Sequence, residues 1–117
     1  MRKTEFIYKI ATRQVVAASR AAGAFTGMAV DLADGYLHFS TAEQLPETLR
    51  LHFRGKGELI LLALPAAGFG EALRWEPSRG GELFPHLYGT FPMDTVVHEA
   101  TIAVDDAGLC DLPDWVR

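Results

Sequence analysis

The segment Glu58–Leu64 constrains the fold of this 117-residue chain more than any other, because it is apolar throughout from Leu59 onward. A strand with one face in water alternates apolar and polar residues, whereas a strand covered on both faces does not. We therefore expect Glu58–Leu64 to be a strand buried on both faces. Such a strand requires a sheet with other elements packed on each side of it.

The first part of the chain predicts a strand and then a helix. In Glu5–Ala11, Phe6, Tyr8 and Ile10 alternate with other residues as a half-buried strand requires. Thr12 is a suitable N-cap for a helix over Arg13–Ala22, which Gly23 would end. The alanine-rich composition of this helix favours close packing against a sheet.

A second strand and helix follow. Tyr36–Phe39 predicts a short strand, after which Ser40 or Thr41 could cap a helix that runs to about Phe53. Gln44 has capping-box spacing from Thr41. The buried face of this helix should carry the apolar residues that recur every four positions: Leu45, Leu49 and Phe53.

The remaining segments predict further strands and fewer helices. Phe25–Ala33 has no clear period and is expected to be irregular, whereas Leu73–Trp75, His86–Gly89 and Thr95–Val104 are expected to pair as strands. The predicted fold class is α+β: a single compact domain over residues 1–117, with a curved mixed β-sheet and two main helices.

Composition excludes several function classes. Cys110 is the only cysteine, which excludes an intrachain disulfide and fits a reducing, cytoplasmic location. The basic pair at the N-terminus precedes no long apolar run, so we expect no signal peptide, and no segment is long enough to cross a membrane. The net charge of −4 makes nucleic acid an unlikely partner, although a local basic pocket could hold one nucleotide.

The richest segment for chemistry is Leu73–Tyr88, which combines charged and aromatic residues with a Gly-Gly pair and two prolines. We expect an ordered loop that packs on the domain and presents charge to a ligand. Arg74 and Arg79 could contact phosphate or carboxylate with forked hydrogen bonds, and Gly80 and Gly81 could bring backbone N–H groups to an anion. The expected partner is a small anionic ligand or a nucleotide.

Eight residues are candidates for the site. His38, His86 and Glu76 are the candidate catalytic residues, because histidine and glutamate can transfer protons near neutral pH. The candidate ligand-binding residues are Ser40, Thr41, Arg74, Arg79 and Tyr88. We expect no metal site, since no close ligand spacing supports one.

Each candidate also has a purely structural alternative. The histidines could be bonded to the backbone, the two hydroxyl residues could serve only as helix caps, and the arginines could form surface ion pairs with Glu71, Glu76 or Glu82. Tyr88 could be a core residue with a solvated hydroxyl group.

Two blocks of sequence resemble a known family. Asp34-Gly-Tyr-Leu-His-Phe-Ser-Thr41 and Trp75-Glu-Pro-Ser-Arg-Gly-Gly-Glu-Leu-Phe-Pro-His-Leu-Tyr-Gly89 are similar to segments of the small bacterial family called domain of unknown function 952. By analogy, the resemblance implies an ADP-ribosyltransferase-like fold, which is also that of RNA 2′-phosphotransferases.

In that fold a first-strand residue, a second-strand His-x-Ser/Thr segment and a later acid surround NAD, which makes NAD the suspected cofactor. His38-Phe39-Ser40 resembles the second-strand element, Tyr8-Lys9 stands where a histidine is often found, and Glu76 and Glu99 are both candidates for the acid.

Two hypotheses of function follow. The first is a transferase or hydrolase that uses a nucleotide such as NAD or ADP-ribose in a pocket lined by histidine and arginine. The alternative is a non-catalytic module that binds a small molecule or anion. Convergence of His38, Arg79 and His86 in one pocket, with an acid within hydrogen-bond reach, would favour the enzyme.

Overall fold

A computed structural model of the protein describes residues 5–117, except for the side chain of Arg79. This part of the chain contains three α-helices and eight strands. The helices are α1 (Arg13–Ala22), α2 (Ala29–Asp34) and α3 (Leu45–His52). The strands are β1 (Phe6–Ala11), β2 (Ala24–Phe25), β3 (Leu37–His38), β4 (Gly57–Pro65), β5 (Leu73–Pro77), β6 (Leu83–Leu87), β7 (Phe91–Pro92) and β8 (His98–Val104). The α+β class is confirmed.

The strands form three small sheets in which every pairing is antiparallel, with orders β1-β4-β8, β2-β7 and β3-β6-β5. The prediction of a mixed sheet was wrong. A helix that connects two strands can return the chain parallel to the first, as in a βαβ unit. Here β1 and β4 are neighbours but run in opposite directions, with two other strands and three helices between them in the chain.

Strand β4 lies at the centre of the β1-β4-β8 sheet and separates two apolar cores. Ile60, Leu62 and Leu64 face one core, whereas Leu59 and Leu61 face the other. This alternation is the period-two geometry of a strand. The prediction of a strand buried on both faces is confirmed, because residues 59–64 are all buried.

The helix predictions at α1 and α3 are confirmed in their main features. The Thr12 hydroxyl accepts a hydrogen bond from the Val15 N–H, and Gly23 ends α1 in the left-handed conformation at φ 88°. Ahead of α3, the Thr41 N–H donates to the Gln44 side chain and the Gln44 N–H donates to the Thr41 hydroxyl. These reciprocal bonds are the predicted capping box.

The segment expected to be irregular was misjudged. Residues 25–33 contain the end of β2 and most of α2, so the described chain has a third helix beyond the two predicted. A six-residue helix is too short to display a clear apolar period. Its first turn is held by Asp31, whose carboxylate accepts a hydrogen bond from the Met28 N–H at 2.6 Å.

The charged segment Leu73–Tyr88 is a β-hairpin in which β5 pairs with β6 over its whole length. The strand predicted at Leu73–Trp75 is confirmed, but the strands extend further into the segment than the expected loop allowed. The predicted last strand begins later than expected, since residues 93–95 form a 3₁₀ turn and β8 starts at His98. Among the described residues, no helix is long and apolar enough to span a bilayer.

Candidate functional site

The β3-β6-β5 sheet brings the two candidate catalytic histidines together. His38 on β3 lies directly opposite His86 on β6, and His86 lies opposite Arg74 on β5. Directly paired residues of an antiparallel sheet point to the same face. The two imidazole rings accordingly lie side by side, with their centroids 5.5 Å apart.

His86 is oriented by Glu76 and Tyr88. The His86 Nδ1 atom lies 2.8 Å from the Glu76 Oε1 atom, and the Tyr88 hydroxyl donates to the same carboxylate at 2.9 Å. The hydrogen bond from His86, followed by that from Tyr88, lowers the pKa of Glu76 below its ordinary value. With Nδ1 assigned as the donor, a neutral His86 ring carries its lone pair on Nε2, the atom that could accept a proton.

His38 is held between two carboxylates. Its Nδ1 atom lies 2.7 Å from Asp31 Oδ1, and its Nε2 atom lies 2.9 Å from Asp34 Oδ2. The Asp31 side chain is buried, whereas the Asp34 side chain is 44 % exposed. The contact at Nδ1 is therefore internal to the fold, and the contact at Nε2 is one that a ligand or water could replace.

Asp31 also pairs with a buried cation, Lys9. The Lys9 ammonium group lies 2.8 Å from Asp31 Oδ2 and donates to the His38 carbonyl oxygen at 2.8 Å. Burial opposes ionisation of Asp31, but the hydrogen bond from His38 and the charge of Lys9 outweigh it and lower its pKa to about 2. Burial lowers the pKa of Lys9, an effect that the charge of Asp31 partly offsets.

Aromatic rings surround the histidine pair on the same face of the sheet. The Tyr36 ring stacks on His86 at 4.2 Å and lies 5.1 Å from the Tyr88 ring, and the Arg74 guanidinium group lies 4.6 Å from the centre of Tyr88. Rings that contact one another in this way restrict each other's rotation. The histidines are therefore part of a cluster of rings that contact one another.

A pocket of about 550 Å³ opens beside this cluster. This volume falls in the range of about 300–1,000 Å³ that is typical of small-molecule sites. His38, His86 and Asp34 lie on its wall, together with Ser40, Thr48, His52 and Ser78. The apolar part of the wall comes from several elements and includes Ile10, Met28, Val30, Phe39, Phe53 and Phe84.

The other predicted site residues have different surroundings. Ser40 lines the pocket, and its hydroxyl group lies 3.1 Å from that of Thr48. Thr41 is buried, and its reciprocal hydrogen bonds with Gln44 close the turn that precedes α3. Tyr88 and Arg74 are exposed beside the histidine pair. The side chain of Arg79 lies outside the described part of the structure, so its predicted phosphate contact remains a prediction.

The two candidate acids are separated by the structure. Glu76 lies beside His86, whereas Glu99 lies on β8 and forms an exposed ion pair with Arg20.

Among the described residues, no cluster of histidine, cysteine, aspartate or glutamate side chains has a geometry that could hold a metal ion. The arrangement can instead transfer protons, because it presents two imidazoles that are oriented by carboxylates to one pocket.

Lys9, Asp31, Asp34 and Tyr36 were not predicted as members of the site. One signal could have identified Lys9, because it is the only charged residue in the otherwise apolar strand Phe6–Ala11. A lysine at such a position needs a buried partner. Asp34 and Tyr36 stand in one of the two blocks that carry the family resemblance. No comparable signal marks Asp31, since it lies in the segment expected to be irregular.

Comparisons with known proteins agree with the resemblance. The family model described as a protein of unknown function, DUF952, matches residues 10–99. The crystal structure of protein CC0527 from Caulobacter crescentus, a structural genomics target, is 48% identical, with a TM-score of 0.86 over 92% of this chain and 94% of that chain. The solution NMR structure of CC0527 is likewise 48% identical, with a TM-score of 0.78 over 88% and 89% of the two chains. No curated protein matches the chain. The protein is therefore a member of the DUF952 family.

Proposed function

We propose that the protein is a transferase or hydrolase that acts on a small nucleotide, with His38 and His86 as its acid and base. The observation that carries this proposal is the pairing of the two imidazoles, 5.5 Å apart, each bonded to a carboxylate at the wall of one pocket. A single histidine can be explained by structure alone. Two oriented histidines beside a pocket could supply both a general acid and a general base to one bound molecule.

The lining of the pocket supports a nucleotide as the substrate class. Its apolar wall suits a flat base, whereas the histidine end offers hydrogen bonds to ribose or phosphate. Arg74 and Tyr88 lie next to that end and could contact a phosphate that extends from the pocket. Thr41 is buried in the turn before α3, so it would hold the neighbouring Ser40 in place rather than contact the ligand.

NAD and ADP-ribose are the first compounds to test. The reason is the likeness of His38-Phe39-Ser40 to the second-strand element of ADP-ribosyltransferase-like folds, and we propose that fold for this chain by the same analogy. Of the two candidate acids, Glu76 is the one we assign to this site, since it contacts His86.

A specific observation favours a second candidate, a binding module without catalysis. Both ring nitrogens of His38 contact carboxylates, which is also how a histidine is held for a structural role. In such a module the pocket would still bind a nucleotide or another small anion, but neither histidine would transfer a proton.

The test combines binding and turnover. The protein is incubated with NAD, ADP-ribose, mononucleotides and inorganic phosphate, while its melting temperature is followed and the products are separated by chromatography. Ligand at about 100 times its dissociation constant should stabilise the fold by about 2.7 kcal/mol. The proposal predicts a higher melting temperature with at least one nucleotide, and product that His86→Ala does not form.

Other outcomes separate the alternatives. Binding without product in the wild type would support the module, and product formation that persists in His86→Ala would place the chemistry elsewhere. If no nucleotide raises the melting temperature or is converted, the proposed substrate class is wrong. Arg13→Ala, on the exposed part of α1, is the matched control and should behave as the wild type does.

A further inference from the structure

The carboxylate of Asp31 is a junction between three parts of the site. It accepts hydrogen bonds from the Lys9 ammonium group on β1, from the Met28 N–H at the start of α2 and from the backbone N–H of His38, and it contacts Nδ1 of the His38 ring. All four nitrogen atoms lie between 2.6 and 2.9 Å from an Asp31 oxygen. One carboxylate therefore joins the first strand, the second helix and a site histidine.

Stability alone is a poor explanation for this arrangement. Lys9 is 3% exposed and Asp31 2%, so both charged groups have lost their hydration. Replacing a buried ion pair with apolar residues of similar volume is often neutral or stabilising, because the cost of desolvation offsets the attraction between the charges. A pair at this position calls for a role that apolar residues would not fill.

That role follows from what the carboxylate fixes. A neutral imidazole has one N–H group, and the partner of one nitrogen decides which nitrogen keeps the proton. At His38 the internal partner is Asp31 at Nδ1, whereas the partner at Nε2 is the exposed Asp34. A buried acceptor at Nδ1 leaves Nε2 as the atom that can exchange a proton with a molecule in the pocket.

The same carboxylate also holds the residues that form part of the pocket wall. Its Oδ2 atom accepts from the Met28 N–H, and Met28, Ala29 and Val30 line the pocket at the start of α2. The ring of His38 and the first turn of α2 are thereby fixed to one anchor. A displacement of Asp31 would move both together.

We propose that Asp31 and Lys9 are positioning residues of this site: Asp31 holds His38 with its proton on Nδ1, and Lys9 keeps Asp31 ionised and in place. This inference rests on the proposed function, because the proposed proton transfer by His38 is the reason for fixing the proton on its ring. The hold itself is a property of the protein without substrate, and it can be tested without one.

The test is the tautomer of His38, read from long-range ¹H–¹⁵N correlations of the histidine rings at pH 8. In the wild type we expect a proton on Nδ1. In Lys9→Met/Asp31→Leu, which removes both charges and leaves neither unpaired, we expect the form with a proton on Nε2 alone to become the major one. His86 should be unchanged in both proteins, because Glu76 holds it independently.

The matched control is Arg13→Met/Glu58→Leu, which removes an exposed ion pair with the same 2.8 Å separation. It should leave the His38 tautomer as in the wild type. A purely structural ion pair would alter the melting temperature of the Lys9→Met/Asp31→Leu variant without altering the tautomer. The proposal is overturned if Nδ1 keeps its proton in the folded variant, or if Nδ1 of the wild type carries none.

A second measurement serves if the double variant does not fold. In Lys9→Met, the ¹³C signal of the Asp31 carboxyl group should titrate at a higher pH than in the wild type, because the carboxylate has lost a cationic partner. An unchanged titration would overturn the role of Lys9. Neither measurement needs a substrate, so a protein that binds no nucleotide would refute the proposed function and leave this inference standing.

Discussion

At the scale of single residues, the site is organised by carboxylates rather than by the histidines themselves. Asp31 holds the ring of His38, and Glu76 holds the ring of His86. The two carboxylates differ in exposure, since the side chain of Asp31 is 1% exposed and that of Glu76 is 32% exposed. Loss of the Asp31 carboxylate should therefore lower the stability of the fold, whereas loss of the Glu76 carboxylate should mainly change the orientation of His86.

The ionisation of Asp31 should contribute to stability in a defined range of pH. Its pKa in the folded protein, about 2, lies below its ordinary value of 3.8, so the ionised group stabilises the fold above about pH 4. This contribution, about 2 kcal/mol, is lost as the pH falls towards 2. Urea unfolding between pH 2 and 6 should show the wild type losing this stability relative to Lys9→Met/Asp31→Leu.

The control for this titration is the exposed pair of Arg13 and Glu58. Because exposed pairs contribute only about 0–1 kcal/mol, Arg13→Met/Glu58→Leu should follow the wild type closely over the same range of pH. A free-energy difference between the wild type and the Lys9→Met/Asp31→Leu variant that does not change with pH would contradict the assignment of Asp31.

The Tyr88 hydroxyl should contribute, after His86, to the lowered pKa of Glu76. It donates to both oxygens of that carboxylate, at 2.9 and 3.1 Å. Removing a donor to a carboxylate disfavours its charged form, so Tyr88→Phe should raise the pKa of Glu76 towards its ordinary value. Carboxyl ¹³C NMR would measure this change. Tyr36→Phe leaves the Tyr88 hydroxyl in place and is the control. An unchanged pKa in Tyr88→Phe would show that the hydrogen bond does not form in solution.

At the scale of helices and strands, local signals predicted the elements that have clear caps or a clear period. Helix α1 occupies the predicted residues Arg13–Ala22, since both its N-cap and its terminal glycine are visible in the sequence. Strand β4 was predicted for a similar reason, because its apolar run is continuous and lies between Gly57 and Pro65. In both elements the sequence signal that identifies the element is local.

Helix α2 was missed, because it depends on Asp31, whose partner Lys9 is 22 residues away. The β5–β6 hairpin was predicted only in part, since the charges on one face made the residues between its two predicted strands resemble a solvated loop. The candidate site was also predicted only in part, because its geometry depends on distant contacts. His38, His86 and Glu76 were chosen by residue type, but their pairing across strands depends on a register that the sequence does not display.

The end of α1 provides a test at this scale. Gly23 has φ 88°, and a Cβ atom added there would meet nothing within 4 Å, so Gly23→Ala would introduce backbone strain alone. We expect a loss of about 1–2 kcal/mol in the free energy of unfolding, measured with urea. Gly89 is as open but lacks a positive φ, so Gly89→Ala should be neutral or slightly stabilising. Equal effects of the two substitutions would contradict this explanation.

At the scale of the whole molecule, the β1-β4-β8 sheet carries a core on each face. Trp75 packs against the core that contains Phe25 and Leu62, and Trp115 packs against the core that contains Leu49 and Leu61. Because the central strand contributes to both, we propose that residues 5–117 fold as one cooperative domain.

The two tryptophans allow this proposal to be tested. Trp75→Phe and Trp115→Phe each leave one tryptophan, which reports on one core. If the domain is cooperative, fluorescence and far-ultraviolet circular dichroism should give the same urea midpoint within each variant. A fluorescence midpoint that departs from the circular dichroism midpoint in either variant would show that the two cores unfold separately.

We propose that His38 and His86 share one ligand pocket, a claim that a titration followed by NMR can test. NAD, ADP-ribose, mononucleotides and phosphate would be added while the ring signals of all the histidines are recorded. We predict saturable shifts of both His38 and His86 with at least one nucleotide. His98, stacked on Trp115 outside the pocket, should not shift and serves as the internal control. Signals of His38 and His86 that remain unchanged with every compound, or that move only together with His98, would contradict the claim.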